Sequence, residues 1–224
     1  EPYPAYNRPM LTKSIVAGLG PEQIAIEGPD WYEENKVCQM LGKQVKSVDM
    51  KEKEVLMESG EKVHFTRLIY ALGSECFIPA VAIRRISDVE KVEQLMEAAS
   101  SAVVIGGGVL GLEAAWELKK AGLSVHVLEM APVLMGRQLD AGSAEILKET
   151  AKKNGVEIHT GVSVEAIEGS DHVTGVRLAD GAVIPAEMVI VSAGVRANTA
   201  LAQEIGLDIG RGVKVSDKME TSIP

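Results

Sequence analysis

The sequence predicts an α/β protein in which a three-layer unit, a parallel sheet with an attached β-meander, is inserted in part of a second unit of related fold. Three observations lead there. Strands and helices alternate between residues 102 and 159, a glycine-rich turn joins the first strand of that series to its helix, and a strand-turn-strand pattern occurs twice at one spacing. Alternation of this kind specifies a parallel sheet covered on both faces.

From Val45 to Gly73 the chain reads as two short strands meeting at Ser59-Gly60, followed by the apolar run Leu68-Ile69-Tyr70-Ala71-Leu72-Gly73. Val164 to Gly194 reads the same way, with its turn at Asp180-Gly181 and its run at Val189-Ile190-Val191-Ser192-Ala193-Gly194. Setting Gly60 on Gly181, an offset of 121 residues, also sets Val55 on Val176, Met57 on Leu178, Val63 on Ile184, Ile69 on Ile190 and Gly73 on Gly194. An ungapped register through a turn and two strands indicates an internal duplication.

A β-α-β unit precedes the second copy. Ala102-Val103-Val104-Ile105 is an apolar run suited to a buried parallel strand. Leu112 to Ala121 reads as a helix whose small residues Ala114 and Ala115 let it lie close to the sheet, with Gly122 as its stop. Ser124 to Leu128 is the next strand, a helix follows from Asp140 to Asn154 with Gly155 after it, and Val156 to His159 is a third strand. The position 121 residues before Gly106 lies upstream of Glu1, so the first half is expected to be a nucleotide-binding domain without its opening β-α-β unit.

The turn itself, Gly106-Gly107-Gly108-Val109-Leu110-Gly111, is the Gly-x-Gly-x-x-Gly of a Rossmann-like fold. Its first glycine permits the tight turn, its second lets the backbone approach a pyrophosphate, and its third lets helix press on strand. Phosphates meet free N–H groups and the positive dipole end at a helix N-terminus, and Val109 and Leu110 of the turn are expected among the residues that bind the dinucleotide. About 20 residues on, at the end of the next strand, stands Glu129, whose carboxylate suits ribose hydroxyls and repels a 2′-phosphate. NADH is therefore expected over NADPH, with Arg137 the one nearby cation that could favour the phosphate.

Composition excludes other classes. A net charge of −9 argues against nucleic acid or an anionic membrane as partner. No run approaches a membrane span, and the opening Glu1-Pro2-Tyr3-Pro4 is no secretion signal, so the expected location is the cytoplasm. Cys38 and Cys76 are too far apart in sequence for a Cys-x-x-Cys pair and are expected to be partly buried, inert thiols. His64, His126, His159 and His172 are scattered without ligand spacing, so no metal site is expected. Trp116 is expected to pack inside the helix, and Trp31-Tyr32 reads either as loop packing or as a pocket cover.

Taken together, these residues resemble the pyridine nucleotide-disulfide oxidoreductases, flavoproteins with two dinucleotide-binding domains. The similarity is greatest to the branch of rubredoxin and ferredoxin reductases, NADH oxidases and the flavin portion of nitrite reductase. It rests on Gly106 to Glu113, on Val189 to Asn198, and on Tyr6-Asn7-Arg8-Pro9-Met10-Leu11-Thr12-Lys13. The resemblance implies an oxidoreductase in which NADH passes a hydride to FAD and electrons go on to a carrier, a nitrite reductase centre or oxygen. It implies residues 82–201 as the NAD-binding domain, and 1–81 with 202–224 as a partial FAD-binding domain.

By the same resemblance Arg8, Pro9 and Lys13 line the flavin, with the Lys13 ammonium near its ring, where composition alone reads a surface lysine. Ala71 and Gly73 pass beside FAD, although Leu72 replaces the usual Thr. Gly194 and Val195 border the nicotinamide half of NAD, and Glu113 reads equally as a nicotinamide-side carboxylate or as a helix-dipole charge. The family's N-terminal FAD fingerprint and the Gly-Asp segment beyond Pro224 are not in the sequence, so weak or absent flavin binding and an inactive isolated chain are expected. A redox carrier or redox centre is the expected partner, with homo-oligomerisation left open. The alternative from another class is an NAD(H)-binding module without chemistry of its own, which would be colourless when purified.

Overall fold

The computed structural model describes residues 1–76 and 82–223, with the side chain of Cys76 outside the described set. The first half runs α1 (Met10–Ala17), α2 (Pro29–Glu34), β1 (Val45–Asp49), β2 (Glu54–Met57), β3 (Lys62–His64), β4 (Ser74–Cys76) and α3 (Ile86–Met96). Then come β5 (Ser101–Ile105), α4 (Val109–Lys120), β6 (Ser124–Glu129), α5 (Ala141–Lys153) and β7 (Val156–Thr160). The chain continues through β8 (Val164–Glu168), β9 (Gly175–Leu178), β10 (Val183–Pro185), β11 (Met188–Val191), β12 (Val195–Ala197) and α6 (Ala200–Glu204).

By packing, the elements fall into two units: Tyr6–Ile26 with Ile78–Gly194, and Glu1–Ala5 with Glu27–Phe77 and Val195–Pro224. The sequence's division into 82–201 and its flanks goes by cofactor, whereas this one goes by contact.

In the first of these units β11, β5, β6 and β7 lie side by side in that order, all parallel. Ala102, Val103 and Val104 at its centre are completely buried, as a strand covered on both faces requires. Helices α4 and α5 pack against the sheet through Ala114, Ala115, Leu118 and Ala144. On the other side Val103, Leu128, Val189 and Val191 share a core with Val176, Leu178 and Ile184 of the antiparallel meander β8-β9-β10. This is the three-layer arrangement expected. Helix α1 belongs to the same unit and packs on α3 and α4.

Helix α4 starts at Val109, three residues before the expected Leu112, because Gly111 enters the helix rather than ending the turn. Helix α5 is capped by Asp140, whose Oδ1 accepts the Ser143 N–H at 2.9 Å. Those bonds from Ser143 hold the Asp140 carboxyl below its ordinary range. Gly122 and Gly155 follow the two helices with φ of 96° and 79°, values that favour glycine.

The second unit holds the meander β1-β2-β3, the antiparallel pair β12-β4, and α6 packed on β1. Its meander repeats the other one closely. Val55 pairs with Val63 as Val176 pairs with Ile184, and Gly60 and Gly181 turn with φ of 86° and 89°. Each first hairpin carries an irregularity at one place, between Val45 and Ser47 and between Val164 and Ala166. The duplication is therefore visible in the backbone as well as in the residue pattern. The copies part at the apolar runs. Met188–Val191 becomes a sheet strand, whereas residues 68–73 form none.

Two expectations about exposure need correction, and one open alternative is decided. Cys38 is exposed rather than partly buried, since it sits in the open segment after α2. Trp116 lies on the solvent side of α4 with 43% of its surface accessible. Trp31 packs edge-on against Tyr32 in the short helix α2, ring centroids 5.2 Å apart, and stays 40% exposed, which is local packing. Among the described residues, no helix is long and apolar enough to cross a membrane.

Candidate functional site

The site is built where β5 hands over to α4. Gly106 leaves the strand with φ of 114°, and a Cβ there would stand 2.6 Å from the Ser192 carbonyl oxygen at the end of β11. At Gly111 a Cβ would stand only 1.9 Å from the Gly106 carbonyl oxygen. These two glycines are demanded by the chain's own packing.

Gly108 is different. Its φ of −82° and ψ of −179° are open to any residue, and a Cβ built on it meets nothing within 4 Å. Nothing inside the protein requires glycine here. The bare backbone faces free space at the start of α4, where no side chain caps the helix. The first-turn N–H groups at Val109, Leu110 and Gly111 cannot be satisfied within the helix, and Val109 and Leu110 are more than half exposed. A bare glycine, unspent N–H donors and the positive end of a 12-residue helix fit a pyrophosphate.

Glu129 ends β6 beside this turn. Its Oε2 accepts the Gly107 N–H at 2.7 Å and its Oε1 accepts the Ala131 N–H at 2.7 Å. Each oxygen keeps a second lone pair for a ribose hydroxyl. Sequence reasoning missed both bonds, and it missed Leu134 and Met135, which close over Gly107 from an irregular loop. No periodicity marks such residues.

Glu113, one turn into α4, faces Lys13 of α1, with Nζ and Oε1 3.8 Å apart and both side chains partly accessible. The two sequence readings of Glu113 left out this partner, since nothing in the spacing links residues 100 apart. A pair so exposed contributes little stability, so its interest lies in position. Pro9 caps α1, and exposed Arg8 lies over the Tyr6 ring at 5.0 Å and donates to the Arg84 carbonyl. Gly194 has φ of 97° with open space around it.

In the other unit, Ala71 is exposed and Gly73 has φ of 68°, its carbonyl accepting the Asn198 N–H at 2.9 Å. Tyr70 completes that link by donating its hydroxyl to the Asn198 carbonyl at 2.8 Å. Val195 opens β12 and is 48% exposed.

The histidines are not all scattered. Adjacent strands β6 and β7 bring His126 Nδ1 to 3.1 Å from His159 Nε2. The ring planes differ by only 26° and the centroids are 5.4 Å apart, farther than the nitrogens by about a ring's width. The rings thus meet edge to edge through one N–H···N bond rather than face to face. Burial, and then the charge of His126, hold the His159 imidazole below its ordinary 6.5. Among the described residues no group of three or more His, Cys, Asp or Glu is placed to hold a metal.

Residues 1–224 match the family described as pyridine nucleotide-disulphide oxidoreductase. The chain is 37% identical over its full length to an NAD(P)H nitrite reductase of Bacillus subtilis, covering 29% of that protein. It is 30% identical, again over its full length, to the ferredoxin–NAD(+) reductase component of the biphenyl dioxygenase system of Paraburkholderia xenovorans, covering 57% of it. Among solved structures, a ferredoxin reductase from Rhodopseudomonas palustris superimposes over the whole chain with a TM-score of 0.92 at 28% identity, 58% of that protein being covered. The chain thus spans between 29% and 58% of the length of these relatives.

Proposed function

The chain belongs to the pyridine nucleotide-disulphide oxidoreductase family, and on that premise we propose that it binds NADH at the turn Gly106–Gly111 and serves electron transfer through FAD to a redox carrier or a nitrite reductase centre. The observation that carries this reading is Gly108, a glycine that the protein's own packing does not need, placed at an uncapped helix start beside a strand-end carboxylate.

In this reading the backbone of Gly108 and the N–H groups of Val109, Leu110 and Gly111 hold the pyrophosphate, and Glu129 receives the adenosine ribose. The Glu129 charge disfavours a 2′-phosphate. Gly194 and Val195 leave room for the nicotinamide half, and Glu113 helps to orient it. Arg8, Pro9 and Lys13, with Ala71 and Gly73, are the residues assigned to FAD, a cofactor of the family. When bound, FAD supplies the chemistry that accepts a hydride from NADH and releases electrons onward. Lys13, a partly exposed cation paired with Glu113, would supply positive charge to offset the negative charge of a reduced flavin. The acceptor is drawn from the nitrite reductase and the ferredoxin reductase among the relatives, with the nitrite reductase centre favoured by the higher identity. The domain division by cofactor, 82–201 against its flanks, belongs to the same proposal.

The test is Gly108→Val, followed by NADH fluorescence and by urea denaturation. We expect an unchanged unfolding midpoint, because a Cβ at this position meets no protein atom within 4 Å, and at least a tenfold weaker NADH affinity, roughly 1.4 kcal/mol. Full NADH affinity in the folded variant would overturn the assignment.

A further inference from the structure

The middle residue of the glycine turn is formally free in the pattern Gly-x-Gly, yet in this chain both its N–H and its C=O are held. Gly107 is buried. Its N–H donates to Glu129 Oε2 at 2.7 Å, and its carbonyl accepts the Met135 N–H at 3.3 Å. A Cβ on Gly107 would stand 2.6 Å from Leu134 Cδ2 and 3.0 Å from Glu129 Cβ. Leu134 is itself 1% exposed, so it has little room to yield. Met135 reaches Gly107 in a left-handed conformation, φ 49°, that is uncommon for a residue with a side chain. The loop after Glu129 is anchored in turn, because the Ala131 carbonyl accepts the Gly161 N–H at 2.9 Å beyond β7.

We propose that Glu129, Leu134 and Met135 form a clamp on the Gly107 peptide, which makes Glu129 a positioning residue for the pyrophosphate turn as well as an acceptor for ribose. The clamp holds the two peptide planes on either side of Gly107, one through the Gly107 N–H and the other through its C=O. The next residue, Gly108, and the free N–H groups after it then face open space in one orientation before any ligand arrives. Preorganisation of this sort removes an ordering cost from binding. Leu134 adds the steric part, since it leaves no space for a side chain at residue 107 and keeps water away from the Glu129 to Gly107 bond.

The ligand side of this inference rests on the NADH reading above, but the clamp is testable without ligand. Amide hydrogen exchange in the free chain reads it directly, with the Val104 N–H in β5 as an internal reference for global opening. In Glu129→Ala we expect the Gly107 N–H to exchange at least tenfold faster relative to Val104, and in Leu134→Ala to exchange faster by a smaller factor. Exchange at Gly107 that stays unchanged, or that quickens only as Val104 does, overturns the clamp. Competition by inorganic pyrophosphate against NADH then reads the positioning role. Removing a nearby negative charge would by itself tighten binding of an anion, whereas loss of the clamp weakens it. We expect competition about fivefold weaker in Glu129→Ala, and any other outcome overturns the positioning role. A wild-type chain that binds no NADH while Gly107 stays protected would overturn the proposed function and leave the clamp standing.

Discussion

The runs Val189–Val191 and Leu68–Leu72 are alike in sequence and opposite in fate. Ile190 is 1% exposed and Ile69, its counterpart at the offset of 121, is 88% exposed. The difference lies in the neighbour. Met188 to Val191 pair in parallel with Ala102 to Ile105, and the meander covers their other face. Beside residues 68–73 the described chain offers no parallel strand, so a similar hydrophobic signal leaves no strand behind. A parallel strand cannot satisfy its backbone groups alone, and its apolar side chains have nothing to bury against until a partner is present. The meanders just before the runs carry their pairing within themselves, and there the copies agree down to the irregularity in the first hairpin.

The sharpest way to break this comparison is a matched pair of substitutions. Ile190→Asp places a charge in the sheet core and should cost about 4 kcal/mol or more, whereas Ile69→Asp should change stability by no more than about 0.5 kcal/mol. Urea denaturation of the two variants reads both. Comparable losses would mean that residues 68–72 are packed after all.

Next in size is the close approach of helix α4 to the turn after β5. Gly111→Ala drives a methyl group into the Gly106 carbonyl and should cost about 3 kcal/mol, while Gly108→Ala should stay within about 0.5 kcal/mol. If both were neutral, helix α4 would not be held against β5 as closely as the geometry states. Where the copies agree, they should respond alike. Gly60→Ala and Gly181→Ala each force a side chain into the left-handed region with nothing nearby, and each should cost about 1 kcal/mol. A gap of more than about 1 kcal/mol between them would show that the two hairpins are not equivalent.

The smallest effect is on acid stability. His159 titrates lower in the folded chain than its ordinary 6.5, so the unfolded chain binds the proton more readily. Its stabilising contribution is complete above about pH 7 and is lost as the pH falls through the lowered value. Glu157 on the same strand opposes this shift and Lys152 of α5 adds to it. The melting temperature should therefore fall from pH 7 toward pH 5, by less in His159→Gln. A slope identical in the two proteins would assign the acid sensitivity elsewhere.

Much of the site was legible because its signals are local. The glycine at 111 is forced by the carbonyl of Gly106 within the same turn, and the distance to Glu129 is set by one helix and one strand. Helix α5 could be bounded from Asp140 to Gly155 because caps act on adjacent backbone. The Lys13–Glu113 pair and the His126–His159 bond were not legible, since each depends on which element lies next to which. The exposed placement of Trp116 was missed for a related reason, because a helix near its ideal pattern still needs a known neighbour before its faces can be told apart.

The sequence by itself determined the parallel sheet, the glycine turn that opens its first helix and the duplicated meander, because period, glycine sterics and turn chemistry act over a few residues. Only the tertiary structure decided which of two like apolar runs became a strand, what Lys13 and His126 face, and that Gly107 is gripped by Glu129 and Met135. Those outcomes turn on contact between segments distant along the chain, and a side chain's type does not say who its neighbour will be.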